Sequence, residues 1–251
     1  MKYFFIFLMI LALYEVYENK FFKRTRQLIV SEKIGQDIKF ILISDFHLNP
    51  LINLKKLEKY IKDFDPDFIC LTGDIINRVS GQKEIARAEN FLKIFKKKTF
   101  YVSGNHEYEN KNREFFEDLL EKWGIISLRG ESFTYKDLKI SGIFYKEKAK
   151  NLNFDPKAFN LLLIHDPLSY VYGNFKDFDL VLAGHTHGGQ VRIPGLGPVI
   201  GPDLKLFPKF SKGFYKISRG SLFITSGLGS KFFLRLFNRT EICLFTIQSQ
   251  K

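Results

Sequence analysis

Five short blocks of the sequence carry side chains suited to metal chemistry, and together they hold all five histidines of the chain. The blocks are Asp45-Phe46-His47, Thr72-Gly73-Asp74, Gly104-Asn105-His106-Glu107, His165, and His185-Thr186-His187. Carboxylate, imidazole and carboxamide groups bind divalent first-row metals, and no thiolate is needed. Two ions about 3.5–4 Å apart that share a carboxylate form a common hydrolytic centre. We therefore predict a two-metal site built from these blocks.

Each block taken alone has an ordinary structural explanation. Asp45 or Asp74 would more often cap a helix or close a turn, and Asn105 suits a left-handed turn. His165 would suit the opening of a loop. Every block, however, follows an apolar run typical of a strand, and sites form at the carboxyl ends of strands. Asp45 and His47 are two residues apart, so on an extended segment both are expected to reach one ion.

The elements around these blocks change character near residue 124. The first half alternates strands, at 38–44, 67–72 and 100–103, with helices, at 54–64, 84–97 and 113–123. The second half is mostly short strands, at 125–128, 133–135, 138–143, 161–164, 180–183, 190–193, 214–217, 222–225 and 242–247. The residues directly before position 38 are expected to form a polar link. Two sheets packed face to face with helices outside accommodate both halves in one α/β domain.

The order of the blocks, DFH, TGD, GNHE, H and GHTH, resembles the calcineurin-like metallophosphoesterases over residues 38–247. The longer strings GHTHGGQVRIP at 184–194 and SGLG at 226–229 resemble a narrower group. That group is the membrane-associated bacterial branch that includes the chlamydial type of UDP-2,3-diacylglucosamine hydrolase. The resemblance implies a four-layer α/β-β/α sandwich and a metal-dependent hydrolase of phosphoric esters or pyrophosphates.

The family pattern also implies a role for each matching residue. The seven expected metal ligands are Asp45, His47 and His187 on one ion, Asn105, His165 and His185 on the other, and Asp74 bridging both. His106 matches the histidine that contacts the scissile phosphate and assists the leaving group. Asn77 stands where some members of the family carry an acidic residue. This departure from the family pattern changes none of the expected ligand residues.

Two divalent ions in such a site would keep a positive charge, because Asp45 and Asp74 neutralise only half of theirs. We expect a metal-bridging hydroxide to attack the phosphorus atom in line, without a covalent phospho-enzyme. Manganese is the expected metal because oxygen, nitrogen and carboxamide ligands suit it. Iron and zinc remain alternatives, since the ligand types do not select among the three.

The N-terminal residues form a short apolar segment ahead of this domain. Residues 3–14 carry no charge, and residues 1–22 are expected to form a hydrophobic anchor or a helix lying in a membrane interface, with the phosphoesterase domain at 23–251. A buried first helix is the alternative. Lys20, Lys23, Arg24 and Arg26 follow the segment and only Lys2 precedes it, so the positive-inside tendency places the catalytic domain on the cytoplasmic side.

Charge and composition favour an anionic partner. The 251 residues carry a net charge of +12, and two cysteines are too few for a disulfide scaffold. Residues 231–239 interleave aromatic and cationic side chains that suit acidic headgroups or an acyl chain, although phenylalanines there could simply cap the sandwich.

We therefore predict a phosphate-bearing, lipid-linked small molecule as substrate and a membrane surface as partner. UDP-2,3-diacylglucosamine, and hence lipid A biosynthesis, is the sharpest candidate. A general phosphodiesterase or a nuclease acting on nucleic acid is less favoured, because no aromatic stacking groove is evident. A catalytically silent interaction module on the same fold is an alternative of a different class. That module would predict eroded ligands, and none is eroded.

Overall fold

A computed structural model describes residues 1–147, 152, 154–173, 175, 178–201, 204–217, 220–230 and 234–250. Its helices are α1 (Lys2–Lys20), α2 (Leu54–Phe64), α3 (Gln82–Leu92), α4 (Asn105–Glu109), α5 (Arg113–Lys122) and α6 (Pro167–Val171). Its strands are β1 (Lys23–Ser31), β2 (Ile38–Ile43), β3 (Phe68–Leu71), β4 (Lys98–Tyr101), β5 (Ile125–Ser127), β6 (Ser132–Tyr135), β7 (Leu138–Ile143), β8 (Phe159–Ile164), β9 (Leu180–Ala183), β10 (Val191–Ile193), β11 (Gly197–Ile200), β12 (Gly213–Ile217), β13 (Gly220–Ile224) and β14 (Glu241–Ser249).

The strands form two six-stranded mixed sheets and one small ribbon. The first sheet has the order β1-β14-β2-β3-β4-β5, the second has the order β12-β13-β9-β8-β7-β6, and β10 pairs with β11. Strands β2, β3 and β4 run parallel to one another, as do β7, β8 and β9. Parallel neighbours end at the same edge of a sheet, so the loops that follow them are brought together.

Stacked phenylalanines join the two sheets. Phe245, Phe40 and Phe68 are in register on β14, β2 and β3, and successive ring centroids lie 4.7 and 5.1 Å apart. Phe223 of β13, in the second sheet, meets Phe245 edge-on at 5.0 Å. Aromatic contacts of this kind add stability beyond the area they bury, and they account for several of the 28 phenylalanines of the chain.

Neighbouring residues of β4 show the layers of the fold. Phe100 contacts Phe133 of β6, in the second sheet, with 5.1 Å between ring centroids, and Tyr101 contacts Phe116 of α5 on the opposite face, at 6.0 Å. On the far side of the second sheet, a separate apolar cluster contains Tyr170 of α6. The predicted four-layer α/β-β/α arrangement is confirmed, with only a thin outer layer over the second sheet.

Helix α1 differs along its length. Large apolar side chains are exposed over most of the helix as far as Leu13, whereas Glu18 and Asn19 near its end are buried. The first turns of α1 are therefore exposed, and the alternative of a buried first helix does not hold for them. Within the described residues, no helix combines the length and the apolar character needed to cross a membrane.

Two expected elements differ from the sequence prediction. The segment expected as a polar link contains β1, an edge strand that pairs parallel with β14. Its side chains alternate between exposed and half-buried positions, so the strand lacks the apolar run by which buried strands are found. Helix α3 ends at Leu92 rather than at residue 97, because the chain must turn before it enters β4 at Lys98.

Candidate metal centre

The five blocks meet where strands of the two sheets end. Strands β2, β3, β4, β8 and β9 are each followed within a few residues by one block. Backbone bonds tie the loops together, since Asp45 N donates to the Gly73 carbonyl at 3.0 Å and His47 N donates to the Asp74 carbonyl at 2.9 Å. Across the sheets, His185 N donates to Asp45 Oδ1 at 3.0 Å. The loops of both sheets therefore share one hydrogen-bonded framework.

Most of the expected ligands have unusual backbone conformations. Left-handed φ values occur at Asp45 (52°), His47 (50°), Asp74 (52°), His185 (69°) and His187 (49°). The expectation that Asp45 and His47 lie on an extended segment is wrong, because both stand in a tight left-handed turn. Each such residue costs on the order of 1–3 kcal/mol and persists only where its surroundings hold it. Strain concentrated in this way is typical of functional sites.

Glycines allow two of these loops to come into contact. A Cβ atom on Gly73 would lie 2.3 Å from the Gly104 nitrogen, and one on Gly104 would lie 2.2 Å from Asp74 Oδ1. Gly73 also has a left-handed φ of 81°. Any larger residue at either position would push the Asp74 loop away from the α4 loop.

Asp74 lies at the centre of the cluster. Its Oδ2 atom is 3.3 Å from His165 Nε2 and 3.6 Å from His47 Nε2. Three overlapping groups have ligand atoms within 4.8 Å of one another: Asp45 with His47 and His187, His47 with Asp74 and His106, and Asp74 with His165 and His185. Asp74 is thus shared by groups on both sides of the cluster.

Asn105 completes one side of the cluster. Its Oδ1 atom lies 3.0 Å from His165 Nε2 and 2.9 Å from His185 Nδ1. The structure therefore brings all seven expected ligands and His106 into one buried region. The carbonyl-type oxygen of the amide is a neutral ligand, which suits a site that already holds two carboxylates.

Hydrogen bonds to protein oxygens orient three imidazoles. The Nδ1 atoms of His165, His187 and His47 lie 2.7 Å from the Thr72 carbonyl, 3.0 Å from the Gly229 carbonyl and 2.9 Å from Asn77 Oδ1, respectively. An oxygen acceptor at Nδ1 fixes the proton there and leaves Nε2 to face the cluster, as in metal-binding histidines generally. Asn77 therefore orients His47, a role that sequence reasoning left undecided.

Burial sets the electrostatics of these side chains. It raises the pKa of Asp45 to about 6, lowers that of His47 to about 4, and lowers that of His187 well below its ordinary value. Burial alone would also lower the pKa of His165, but the Asp74 carboxylate outweighs it and raises that pKa to about 10. The centre of the cluster therefore favours a positive charge beside Asp74.

The residues present fit divalent cations. His47 Nε2 is buried and has no hydrogen-bond partner among the described residues. A buried polar atom without a partner is costly, and a cation within the cluster would remove that cost. The ligands are carboxylate oxygen, imidazole nitrogen and carboxamide oxygen, with no thiolate, which is the set that a hydrolytic two-metal site uses.

Glu107 supports the cluster without belonging to it. Its carboxylate accepts backbone N–H groups from Asp74 (2.8 Å), Ile75 (2.6 Å), Ile76 (3.0 Å) and Gly104 (2.8 Å). Burial, reinforced by Asp74, raises the pKa of Glu107 to about 7. Glu107 belongs to one of the five blocks, but the motif alone assigns no role to it. Its position at the third residue of α4, directly after Gly104, is the signal for a helix-capping carboxylate.

His106 lies at the edge of the cluster. Its backbone N–H donates to Asp74 Oδ1 at 2.9 Å, and its Nδ1 accepts the Arg78 N–H at 3.1 Å. In the neutral ring the proton is therefore on Nε2, which lies 3.9 Å from Asp74 Oδ2. This geometry leaves His106 able to donate a proton toward the centre.

A groove of about 480 Å³ adjoins the centre and is lined in part by His47 and Asn77. Its apolar lining residues, which we call the apolar groove, are Phe46, Leu48, Pro50, Ile52, Leu54 and Val79. Asn49 also lines it, and the Asn49 side chain donates to the Asn19 carbonyl of α1 at 3.3 Å. The groove thus adjoins both the metal cluster and the end of α1.

Comparisons with known proteins agree with this geometry. The family model for calcineurin-like phosphoesterases matches residues 38–189. An uncharacterized metallophosphoesterase of Campylobacter jejuni is 28% identical over 87% of this chain, which spans 61% of that protein's length. One from Aquifex aeolicus is 28% identical over 96% of this chain and 97% of its own. A zebrafish (Danio rerio) transmembrane protein with a metallophosphoesterase domain is 27% identical over 82% of this chain and 52% of its own.

Proposed function

Because this chain belongs to the calcineurin-like phosphoesterase family, we propose that it hydrolyses a phosphoester or pyrophosphate with two divalent metal ions. The position of Asp74 carries the proposal. One oxygen of this carboxylate lies 3.6 Å from His47 Nε2 on one side and 3.3 Å from His165 Nε2 on the other. A single buried carboxylate between two imidazole groups is the arrangement that a shared ligand of two ions requires.

The proposed ligands divide into two sets around Asp74. One ion would be held by Asp45, His47 and His187, and the other by Asn105, His165 and His185. When bound, the ions would supply a water-derived nucleophile at neutral pH and stabilise charge on the phosphate oxygens. The chain itself orients the imidazoles through their Nδ1 atoms and holds the left-handed loops in place. Manganese is the first metal to test.

His106 is proposed to protonate or hydrogen-bond the departing oxygen of the leaving group. The Arg78 N–H occupies its Nδ1 atom as acceptor, so the proton of the neutral ring is on Nε2. A positioned acid of this kind contributes roughly 10²–10⁴-fold to a hydrolytic rate. The contribution is greatest when the departing oxygen is a poor leaving group.

The apolar groove supports a substrate with an acyl chain. It adjoins His47, so a phosphate at the centre and an apolar chain in the groove would belong to one molecule. Its Val79 side chain is 80% exposed, which leaves apolar surface available for contact. Arg87 and Glu84, also in the lining, place one cation and one anion beside this surface. UDP-2,3-diacylglucosamine combines these features and is the specific substrate we propose to test.

Exposed apolar side chains on neighbouring segments support membrane association. Tyr14 of α1 contacts Phe237 with 5.8 Å between ring centroids. The next residue back, Leu236, forms an isolated β-bridge with Val191 of the β10–β11 ribbon. On the other strand of that ribbon, Ile200 bridges to Leu206. Large exposed apolar side chains lie along these segments: Leu13, Leu196, Leu204, Leu206, Phe207, Leu234 and Phe237. Residues 231–233 of the predicted aromatic and basic stretch lie outside the described residues.

We propose that this surface rests on acidic lipids, with α1 lying in the interface. A cation accompanies one of its exposed aromatic rings, since Arg239 lies over Tyr17 at 5.2 Å. Apolar contact combined with charge attraction is the usual basis of binding to an anionic membrane surface. The basic residues after α1 favour the cytoplasmic face, and the name of the zebrafish relative is consistent with a membrane setting.

A turnover panel with manganese tests the proposal. The intact chain is assayed with UDP-2,3-diacylglucosamine, bis-p-nitrophenyl phosphate, cyclic nucleotides and single-stranded DNA. We expect hydrolysis of bis-p-nitrophenyl phosphate and higher kcat/KM for the diacylated substrate. Preference for DNA or a soluble nucleotide would overturn the lipid-linked assignment alone. No turnover with manganese, iron or zinc on any substrate would instead favour an interaction module.

A further inference from the structure

We infer that the last turns of α1 belong to the framework of the metal centre, with Glu15 and Glu18 acting as positioning residues for His187. The link between them is segment 234–240, which we call the clamp segment. The inference rests on the proposed function insofar as His187 is taken as a metal ligand. It gives α1 a second role that an anchor or interfacial helix does not require.

The side chains of α1 hold the backbone of the clamp segment. Arg235 N donates to Glu15 Oε2 at 2.7 Å, and Asn238 N donates to Glu18 Oε2 at 2.6 Å. The carbonyl of Glu18 accepts the Thr240 N–H at 3.1 Å. Hydrogen bonds to ionised carboxylates are stronger than those between neutral groups. These three hydrogen bonds tie the helix to the clamp segment over the six residues 235–240.

The clamp segment in turn holds His187. Asn238 Nδ2 donates to the His187 carbonyl at 2.6 Å and to the Gly189 carbonyl at 3.1 Å. Arg235 Nη2 donates to the Gly229 carbonyl at 2.6 Å. That carbonyl also lies 3.0 Å from His187 Nδ1. Both the backbone and the ring of His187 therefore depend on residues that α1 fixes.

The energetics of Arg235 and His187 make this support necessary. Arg235 has 0% of its side chain exposed, and a buried guanidinium needs nearby anions and hydrogen-bond acceptors. Burial lowers its pKa to about 10, while Glu18 and Glu15 are among the carboxylates that oppose this shift. His187 is held in a left-handed conformation that costs free energy. Loss of the α1 carboxylates would weaken both features together.

Glu18→Ala in the full-length chain tests the inference. On protein stripped with a chelator, isothermal titration with manganese should show one of two sites weakened by about 10–100-fold, as expected for the loss of an outer support of a metal ligand. The other site should be unchanged. Glu18→Gln should recover much of the affinity, because its amide oxygen can still accept the Asn238 N–H. Glu32→Ala removes an exposed carboxylate and is the matched control.

The same titration in a His187→Ala background separates positioning from general destabilisation. If Glu18 acts through His187, adding Glu18→Ala should weaken neither site further. Equal weakening of both sites, or an additive loss in the double variant, would overturn the inference. Should Glu18→Ala fail to fold, Glu15→Ala, which removes the acceptor of the Arg235 N–H, and Asn238→Ala carry the same comparison.

Manganese binding by the wild-type protein separates the role of α1 from the two-metal site itself. Wild-type protein that binds two manganese ions, with Glu18→Ala binding both equally well, would overturn the inference alone. Wild-type protein that binds no divalent ion would overturn the two-metal proposal and this inference with it.

Discussion

Glu107 Oε2 accepts the backbone N–H of Asp74 at 2.8 Å, so one buried carboxylate positions another. The Asp74 N–H is one of four that Glu107 binds, on residues from two separate loops. Asp74 has a left-handed φ of 52°, and these bonds hold it there. The orientation of the central carboxylate therefore depends on a residue that does not face the cluster.

Glu107→Gln should weaken manganese binding by about 10–100-fold, since supports of metal ligands have effects of that size. The glutamine amide would direct N–H donors at backbone N–H groups, so fewer of the four bonds could form. Isothermal titration of chelator-stripped protein measures the loss. Glu121→Gln, at an exposed position on α5, is the control. Unchanged manganese affinity in Glu107→Gln would show that the Asp74 loop holds its shape alone.

Asp74→Asn should abolish metal-dependent turnover, by at least about 10³-fold, while the domain stays folded. The amide carries no charge and offers one oxygen, so it is a poor shared ligand for two ions. Turnover of bis-p-nitrophenyl phosphate with manganese measures the effect, and circular dichroism checks folding. Asp63→Asn removes the charge of an exposed pair with Lys59 and should leave turnover unchanged. Near-native turnover of Asp74→Asn would contradict the two-metal assignment.

His106→Asn should affect poor leaving groups most. For an alkyl phosphoester we expect kcat to fall by about 10²–10⁴-fold, because the departing alkoxide needs a proton. For a p-nitrophenyl ester the fall should be much smaller, because that leaving group departs readily without one. Steady-state assays of both substrates at saturating manganese give the ratio. An equal fall for the two would place His106 in phosphate binding rather than in proton donation.

Val79→Glu should raise KM for the diacylated substrate by about tenfold or more, because a charge would replace a side chain whose burial contributes about 1.5–3 kcal/mol. Turnover of bis-p-nitrophenyl phosphate, which has no acyl chain, should stay within twofold of wild type. Val30→Glu makes the same change at an exposed position on β1. If Val79→Glu and Val30→Glu give the same kinetics, the apolar groove does not bind the acyl chain.

Glu241 should make stability depend on pH below neutrality. Burial alone would raise its pKa, but Lys212 and hydrogen bonds from Ser226 N–H and Thr25 hold it below its ordinary value of 4.5. A carboxyl whose pKa is lower in the folded state than in the unfolded state stabilises the fold. This stabilisation is fully present above the pKa of the unfolded state and is lost as the pH falls through the pKa of the folded state. The stabilisation should therefore be complete at pH 7 and decline below about pH 4.5.

The comparison with Glu241→Gln isolates this effect. At pH 7 the variant should lose about 1–3 kcal/mol of unfolding free energy, the usual cost when a buried bonded group loses its partner. The difference from wild type should shrink as the pH falls below 4.5, the ordinary value for this carboxyl. Urea unfolding in the presence of a chelator measures it without any contribution from metal binding. A difference that stays constant down to pH 3 would contradict the assignment.

Apolar periodicity predicted the buried elements well and the surface elements poorly. Helix α2 has the predicted bounds, and β7 and β9 match theirs, because each buries a regular set of apolar side chains. The edge strand β1 was taken for a link because its backbone pairs with β14 while most of its side chains remain outside the core. Helices α4 and α6, of five residues each, are too short to show helical periodicity.

Residue identity and order alone predicted which side chains bind metal, since the five blocks hold every histidine of the chain. Tertiary structure decided what holds them there. The left-handed turn at Asp45 and His47, the four bonds to Glu107 and the contact of Asn238 with His187 all join residues whose separation in sequence carries no local pattern. Periodicity reports burial along one element, whereas these contacts arise only when strand ends from two sheets and the end of α1 meet.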